Sequence, residues 1–136
     1  MSDLENNIDA VFDRAPFIEL LGVRLVDVSE GRLETELTIT PKLRQQHGFA
    51  HAGVVTTLAD HTAGGAASTV IGEGQSVLTA DFSVHLLRPG AGDELTCVGE
   101  VVRAGRTLIV TKADVWAEGA HCARYTGTMA VVDRAI

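Results

Sequence analysis

The sequence predicts an α+β domain in which a curved antiparallel β-sheet wraps around one long central α-helix. Three observations lead there. Residues 53–70 are mostly Ala, Gly, Val, Thr and Leu and hold no Lys, Arg or Glu. A helix of that composition has no solvated face and must be buried nearly all round. Four strand-like runs follow it, and a shorter pair precedes it. A sheet curved around the helix buries all of these faces at once, whereas a flat sheet would leave part of a helix without Lys, Arg or Glu in water.

Taken in order, residues 7–21 carry Ile8, Val11, Phe12, Phe17, Ile18, Leu20 and Leu21, interrupted by Pro16. That pattern predicts two short helical pieces capping one end of the fold. Residues 23–28 and 32–40 then switch to period two, with Leu33, Thr35, Leu37 and Ile39 on one face and Glu34, Glu36 and Thr38 on the other. Ser29-Glu30-Gly31 between them supplies turn chemistry, so the pair reads as a hairpin. Within the apolar helix, Gly64-Gly65 weakens the helix by roughly 1 kcal/mol per glycine against Ala, which calls for a sheet or second helix approaching closely. After the turn at Gly72-Glu73-Gly74, residues 77–87 alternate, with Leu78, Ala80, Phe82, Val84 and Leu86 on one face and Thr79, Asp81, Ser83 and His85 on the other. Arg88-Pro89-Gly90 ends that run. Residues 95–103, 107–117 and 120–132 follow with links short enough for an antiparallel meander.

A chain of 136 residues suits one domain, 1–136, with residues 1–16 as an N-terminal helical or flexible extension. A formal net charge of −7 argues against nucleic acid, where binding depends on Lys and Arg contacts to phosphates. No apolar run approaches the roughly 18 residues of a membrane span, and the polar acidic start lacks a signal peptide's basic and apolar regions. A cytoplasmic protein with no membrane partner is expected. Cys97 and Cys122 lie in strand-like runs without a C-x-x-C or His/Cys cluster, so they read as reduced, buried thiols, and no metal site or cofactor is expected. Arg88, Arg103 and Arg106 form the candidate basic patch for any phosphate-bearing substrate.

The residues with the most chemical content stand at the start of the helix: Gln45-Gln46-His47-Gly48-Phe49-Ala50-His51-Ala52-Gly53, then Leu58-Ala59-Asp60. This resembles the signature of the PaaI-like (phenylacetate-degradation type) thioesterases of the hotdog superfamily, N-x-x-G-x-x-H-G-G with an acid further along the helix. The resemblance runs from about residue 17 to residue 132. Gly48, His51 and the acid nine positions later fall where that family puts them, while Gln45 stands for the usual Asn and Ala52 for the first Gly. It implies a hotdog fold and hydrolysis of a short- or medium-chain or aryl acyl-CoA to free acid and CoA. It also implies catalytic roles for Asp60 as base or nucleophile, for the Ala52 N–H and Gln45 as donors to the thioester oxygen, and for Thr79, which matches a Ser/Thr position holding the water beside the acid. His51 and Gly53 are substrate-side positions of the same motif, although a histidine at a first helical turn reads foremost as a residue that fixes the loop.

The residues add two arguments of their own. A carboxylate in an apolar helix is costly to bury unless it is paired, and no Lys or Arg lies within a turn of Asp60 to pair it, which favours a catalytic over a structural reading. Ala52 and Asp60 are eight residues apart, about 12 Å along a helix, too far to act on one carbonyl. One site therefore needs two chains, a homodimer or a dimer of dimers. Two other readings compete: a hotdog dehydratase or hydratase, which needs a catalytic His beside a carboxylate, and a non-catalytic acyl-CoA binding module.

Overall fold

The computed structural model describes Ile8 and residues 15–133. The first expected N-terminal helical piece, with Val11 and Phe12, lies outside the described residues apart from Ile8. The second is helix α1 (Pro16–Leu21), opened by proline at its first turn and closed by Gly22 at φ +79°. Strands β1 (Arg24–Ser29) and β2 (Arg32–Thr38) form the expected hairpin. A 3-10 turn over Pro41–Leu43 leads to helix α2 (Ala52–Ser68), followed by β3 (Ser76–Leu86), β4 (Glu94–Ala104), β5 (Leu108–Ala117) and β6 (Ala120–Val132).

The six strands make one antiparallel sheet in the order β1-β2-β4-β5-β6-β3. The meander is β4 to β6, and β3 lies at the edge beyond β6. Residues 87–93 return the chain across the end of the sheet past the start of α2, where the Ala50 N–H donates to the Gly90 carbonyl (2.9 Å) and the Ile39 N–H to that of Asp93 (2.8 Å). Among the described residues, no helix is long and apolar enough to cross a membrane.

Period two in β2 works as expected: Leu33, Thr35 and Leu37 are buried and their neighbours less so. They face α2 together with Leu95, Cys97, Ile109, Ala113, Val115, Tyr125 and Met129 of the inner sheet face, and both thiols are free and buried. A buried pair of hydroxyls pins helix to sheet, Thr62 Oγ1 to Thr35 Oγ1 at 2.7 Å, with Thr62 also donating to the Leu58 carbonyl. Two glycines set the packing distance. A Cβ at Gly65 would overlap the Leu33 side chain, and one at Gly99 would stand 2.8 Å from the backbone of Thr62. The Gly99 contact is with main chain, which cannot rotate away. Gly99→Ala should therefore destabilise by about 1–3 kcal/mol and lower Tm by on the order of 5 °C. Thermal unfolding followed by circular dichroism checks this, and an unchanged Tm would contradict so close a seat.

Two expectations need correction. Helix α2 is not buried nearly all round by its own chain. Val54, Val55, Leu58, Ala59, Thr62, Ala63, Ala66 and Ala67 are covered, while Gly53, Thr57, Asp60, Gly64 and Ser68 form a stripe that is only partly covered or exposed. The sheet reaches around only one side of the helix, and a Cβ at Gly64 would meet nothing within 4 Å. Second, β3 does not keep one alternation throughout. Its register with β6 shifts between Thr79 and Asp81. The bulge at Ala80 inserts one residue, so Thr79 shares its face with Phe82 and Val84 instead of with Asp81 and Ser83. Thr79 thereby points to the helix side, opposite Met129, which is wholly buried.

Candidate active site

The loop before α2 is closed by its own backbone. The Gln45 N–H donates to the Phe49 carbonyl (2.8 Å) and the Gly48 N–H to that of Gln45 (3.0 Å), with Gly48 at φ +88°. That left-handed conformation is easiest for glycine. The Gln45 side chain is drawn in: its Oε1 accepts the N–H groups of His47 (2.6 Å) and Phe49 (3.1 Å). Two backbone donors on one amide atom fix it as the oxygen, leaving Nε2 to donate elsewhere. Arg44 braces the loop from behind through the carbonyls of Gly48 (2.7 Å) and Ile39 (2.8 Å).

His51 is the helix N-cap, and its Nδ1 accepts the Gly53 N–H at 2.9 Å. The ring proton is accordingly on Nε2. His51 fixes the loop, as its position suggests, and the Gly53 N–H it holds is not available to a substrate. Ala52 differs. The residue is exposed, and its N–H meets no acceptor among the described residues and stands at the positive end of the helix dipole. Gln45, His51, Ala52, Val55, Leu86 and Arg88 contribute to the walls of a cleft of about 520 Å³ here.

Asp60 lies on the partly open stripe of the same helix. Its Oδ1 accepts two hydrogen bonds, from the Tyr125 hydroxyl at 2.6 Å and from Thr79 Oγ1 at 2.9 Å. Thr79 reaches it only because of the bulge at Ala80. The contact is with the carboxylate itself. Tyr125 was not singled out by sequence, yet it is the one tyrosine of the chain and is fully buried. A buried tyrosine needs a partner for its hydroxyl, and that was the available signal. Burial, and then Asp60, push its phenol well above the ordinary value, so it stays protonated and donates. Asp60, His61, Gly64, Ser68, Thr79 and Met129 line part of a second, smaller cavity of about 220 Å³.

The two cavities share no lining residue, in line with the roughly 12 Å that eight residues of helix impose between Ala52 and Asp60. Burial holds His61 below its usual value and hence neutral at pH 7. Burial pushes the Cys97 thiol up to about 12, which removes it as a nucleophile. Asp81, Ser83 and His85 are exposed on β3, with Ser83 meeting Thr126 (3.2 Å) and forming no triad.

The arginines do not form one patch within the chain. Arg88 lines the cleft at the helix start and donates to the His121 carbonyl at 3.0 Å. Arg103 sits beyond a bulge near the end of β4, opposite Val110, and Arg106 lies in the β4–β5 link. Along β6, Ala123 pairs with Leu86 near Arg88, whereas Ala130 pairs with Leu108 near Arg106. Seven strand residues separate these ends by roughly 23 Å. Closeness in sequence misleads because β4 carries the chain from one end of the sheet to the other.

Comparison with known proteins bears on this geometry. Residues 47–133 match the thioesterase superfamily. A thioesterase family protein of Silicibacter pomeroyi superposes with TM-score 0.92 at 35% identity, covering 95% of this chain and 98% of that one. The acyl-coenzyme A thioesterase PaaI of Escherichia coli is 27% identical over 74% of this chain and 70% of its own, and its structure superposes with TM-score 0.86 over 95% and 93%. The 1,4-dihydroxy-2-naphthoyl-CoA hydrolase of Listeria monocytogenes is 27% identical over 68% of this chain and 75% of its own.

Proposed function

The chain belongs to the thioesterase superfamily as a PaaI-like thioester hydrolase of the hotdog fold, and from that premise we propose that it hydrolyses a short- or medium-chain or aryl acyl-CoA in a site shared by two copies of itself. One observation carries the reading. Ala52 and Gln45 line one cavity and Asp60 another, and in the proposed mechanism each cavity supplies half of the chemistry.

In the proposed site the thioester oxygen lies against the Ala52 N–H and Gln45 Nε2 of one protomer. There the helix dipole and two fixed donors stabilise the negative charge that develops on that oxygen. Asp60 of the partner subunit supplies an electron pair, either to a proton of the attacking water or to the carbonyl carbon, giving an anhydride that water then opens. The C–S bond breaks, CoA leaves as the thiol and the acyl group as the acid. Two features of the protomer favour such pairing. Edge strand β3 is open on one side and exposes Leu78, Phe82 and Leu86, and long apolar edges of that kind associate. The uncovered stripe of α2 is uncharged except at Asp60.

Thiol release from a panel of short-chain, medium-chain, long-chain and aryl acyl-CoAs tests the proposal. Turnover of a short, medium or aryl ester is expected. Binding without thiol release would mean an acyl-CoA binding module, and water addition to an enoyl-CoA would mean a hydratase. The proposed site also separates the arginines. Arg88→Ala, at the donor cleft, should raise KM several-fold with little change in kcat, as loss of uniform binding does, and by more than the same change at Arg103 or Arg106. Equal KM values for wild type and all three variants would remove Arg88 from the substrate.

A further inference from the structure

We propose that Tyr125 is a positioning residue for the reaction: together with Thr79 it ties down Oδ1 of Asp60 and leaves Oδ2 as the oxygen that reacts. This rests on the thioesterase reading above and adds to it a residue from a different strand. Both hydrogen bonds fall on the same atom, Tyr125 at 2.6 Å and Thr79 at 2.9 Å. A carboxylate held by one oxygen through two donors cannot rotate freely about its Cβ–Cγ bond, so its second oxygen keeps one direction. A reacting group fixed in its attack geometry gains rate through orientation.

The surroundings are built for this contact. Tyr125 is wholly buried on the inner face of β6, and its ring stacks on Phe82 of β3 at 5.6 Å between centroids. Two residues further along β6 stands Gly127, where a Cβ would overlap the Tyr125 hydroxyl. Glycine weakens a strand interior, and here it clears the space that the hydroxyl occupies. The bulge at Ala80 brings Thr79 to the same oxygen from the neighbouring strand. Sheet register, a bulge and a glycine thus converge on one atom of one carboxylate.

Tyr125→Phe keeps the ring and its stack and removes only the donor. Measured on the full-length protein with the best acyl-CoA of the panel, kcat should fall roughly 10-fold or more, the scale of a hydrogen bond to a charged group, while KM stays within about twofold. Thr79→Val should behave likewise, and Thr79→Ser, which restores the hydroxyl, should recover most of the wild-type kcat. Rates are to be compared at equal folded fraction by circular dichroism. A merely structural tyrosine would lower Tm and leave kcat per folded protein unchanged. That result, or a Tyr125→Phe kcat within twofold of wild type, overturns the inference while leaving the thioesterase reading intact. A wild-type protein that releases no thiol from any ester overturns both. If Tyr125→Phe fails to fold, the Thr79 pair decides: equal kcat for the Val and Ser variants would mean that fixing Oδ1 is not needed.

Discussion

The Asp60→Asn protein should fold as the wild type does and hydrolyse acyl-CoA roughly 10²-fold more slowly or worse, the scale of losing a general base or nucleophile. The fold is expected to survive because asparagine matches aspartate in shape and its amide oxygen can still accept from Tyr125 and Thr79, the two donors that meet Oδ1. The amide nitrogen then replaces Oδ2. It has no available electron pair for a proton or a carbonyl carbon, so chemistry stops while substrate binding at the Ala52 and Gln45 cleft is spared. KM should accordingly change little. A variant keeping more than half of wild-type turnover would refute Asp60 as the acid, whichever of the two routes operates. Circular dichroism and Tm within a few degrees of wild type are part of the expected result, since a misfolded variant would lose activity for an unrelated reason.

Much of the fold, and the local geometry of the candidate site at the start of α2, were legible in the sequence because they depend on local pattern. The buried face of β2 follows from strict alternation. The helix start follows from Gln45, Gly48 and His51, each of which acts on backbone within a few residues of itself. What the sequence hid depends on register between distant strands. Alternation in β3 assumes an unbroken pleat, and a single extra residue at Ala80 reverses the faces before and after it. No local cue marks that bulge. Tyr125 meets Asp60 across 65 positions, and its role appears only once β6 is seated under α2. The arginine cluster failed for the opposite reason: neighbours in sequence were parted by the length of a strand.

The helix composition was misleading in an informative way. An absence of Lys, Arg and Glu over residues 53–70 implies burial, but the chain's own sheet covers only one side of α2. Gly65 is explained within the protomer by Leu33, and Gly64 is not, for a Cβ there would meet nothing. The uncovered stripe that includes Gly64 also bears Asp60. If a second copy covers that stripe, both the composition and the glycine have a cause, and the acid is brought beside foreign atoms.

Mixing two inactive variants should restore activity if the site is shared. A chain with Asp60→Asn keeps its Ala52 N–H and Gln45, and a chain with Ala52→Pro keeps its acid but has no N–H to donate at that position. Each homodimer should be nearly inactive, since each of its sites lacks one half. In a heterodimer one site combines the intact donors of the first chain with the intact acid of the second, and the other site is doubly defective. Activity should reappear as subunits exchange, up to about half the wild-type value per heterodimer if the sites are independent. The proline is suited to its place. Ala52 is the first residue of α2, where proline is well tolerated, and His51 before it is already extended at φ −60° and ψ 140°, the conformation a residue preceding proline requires. The cap made by His51 on the Gly53 N–H does not involve the Ala52 nitrogen. Loss of activity in the Ala52→Pro homodimer, with its circular dichroism unchanged, would therefore report the missing donor. Confirmed heterodimers that stay as inactive as their parents would mean that Ala52 and Asp60 do not meet across two chains. Since about 12 Å of helix keeps them apart within one, the proposed mechanism would then have no site in which to operate.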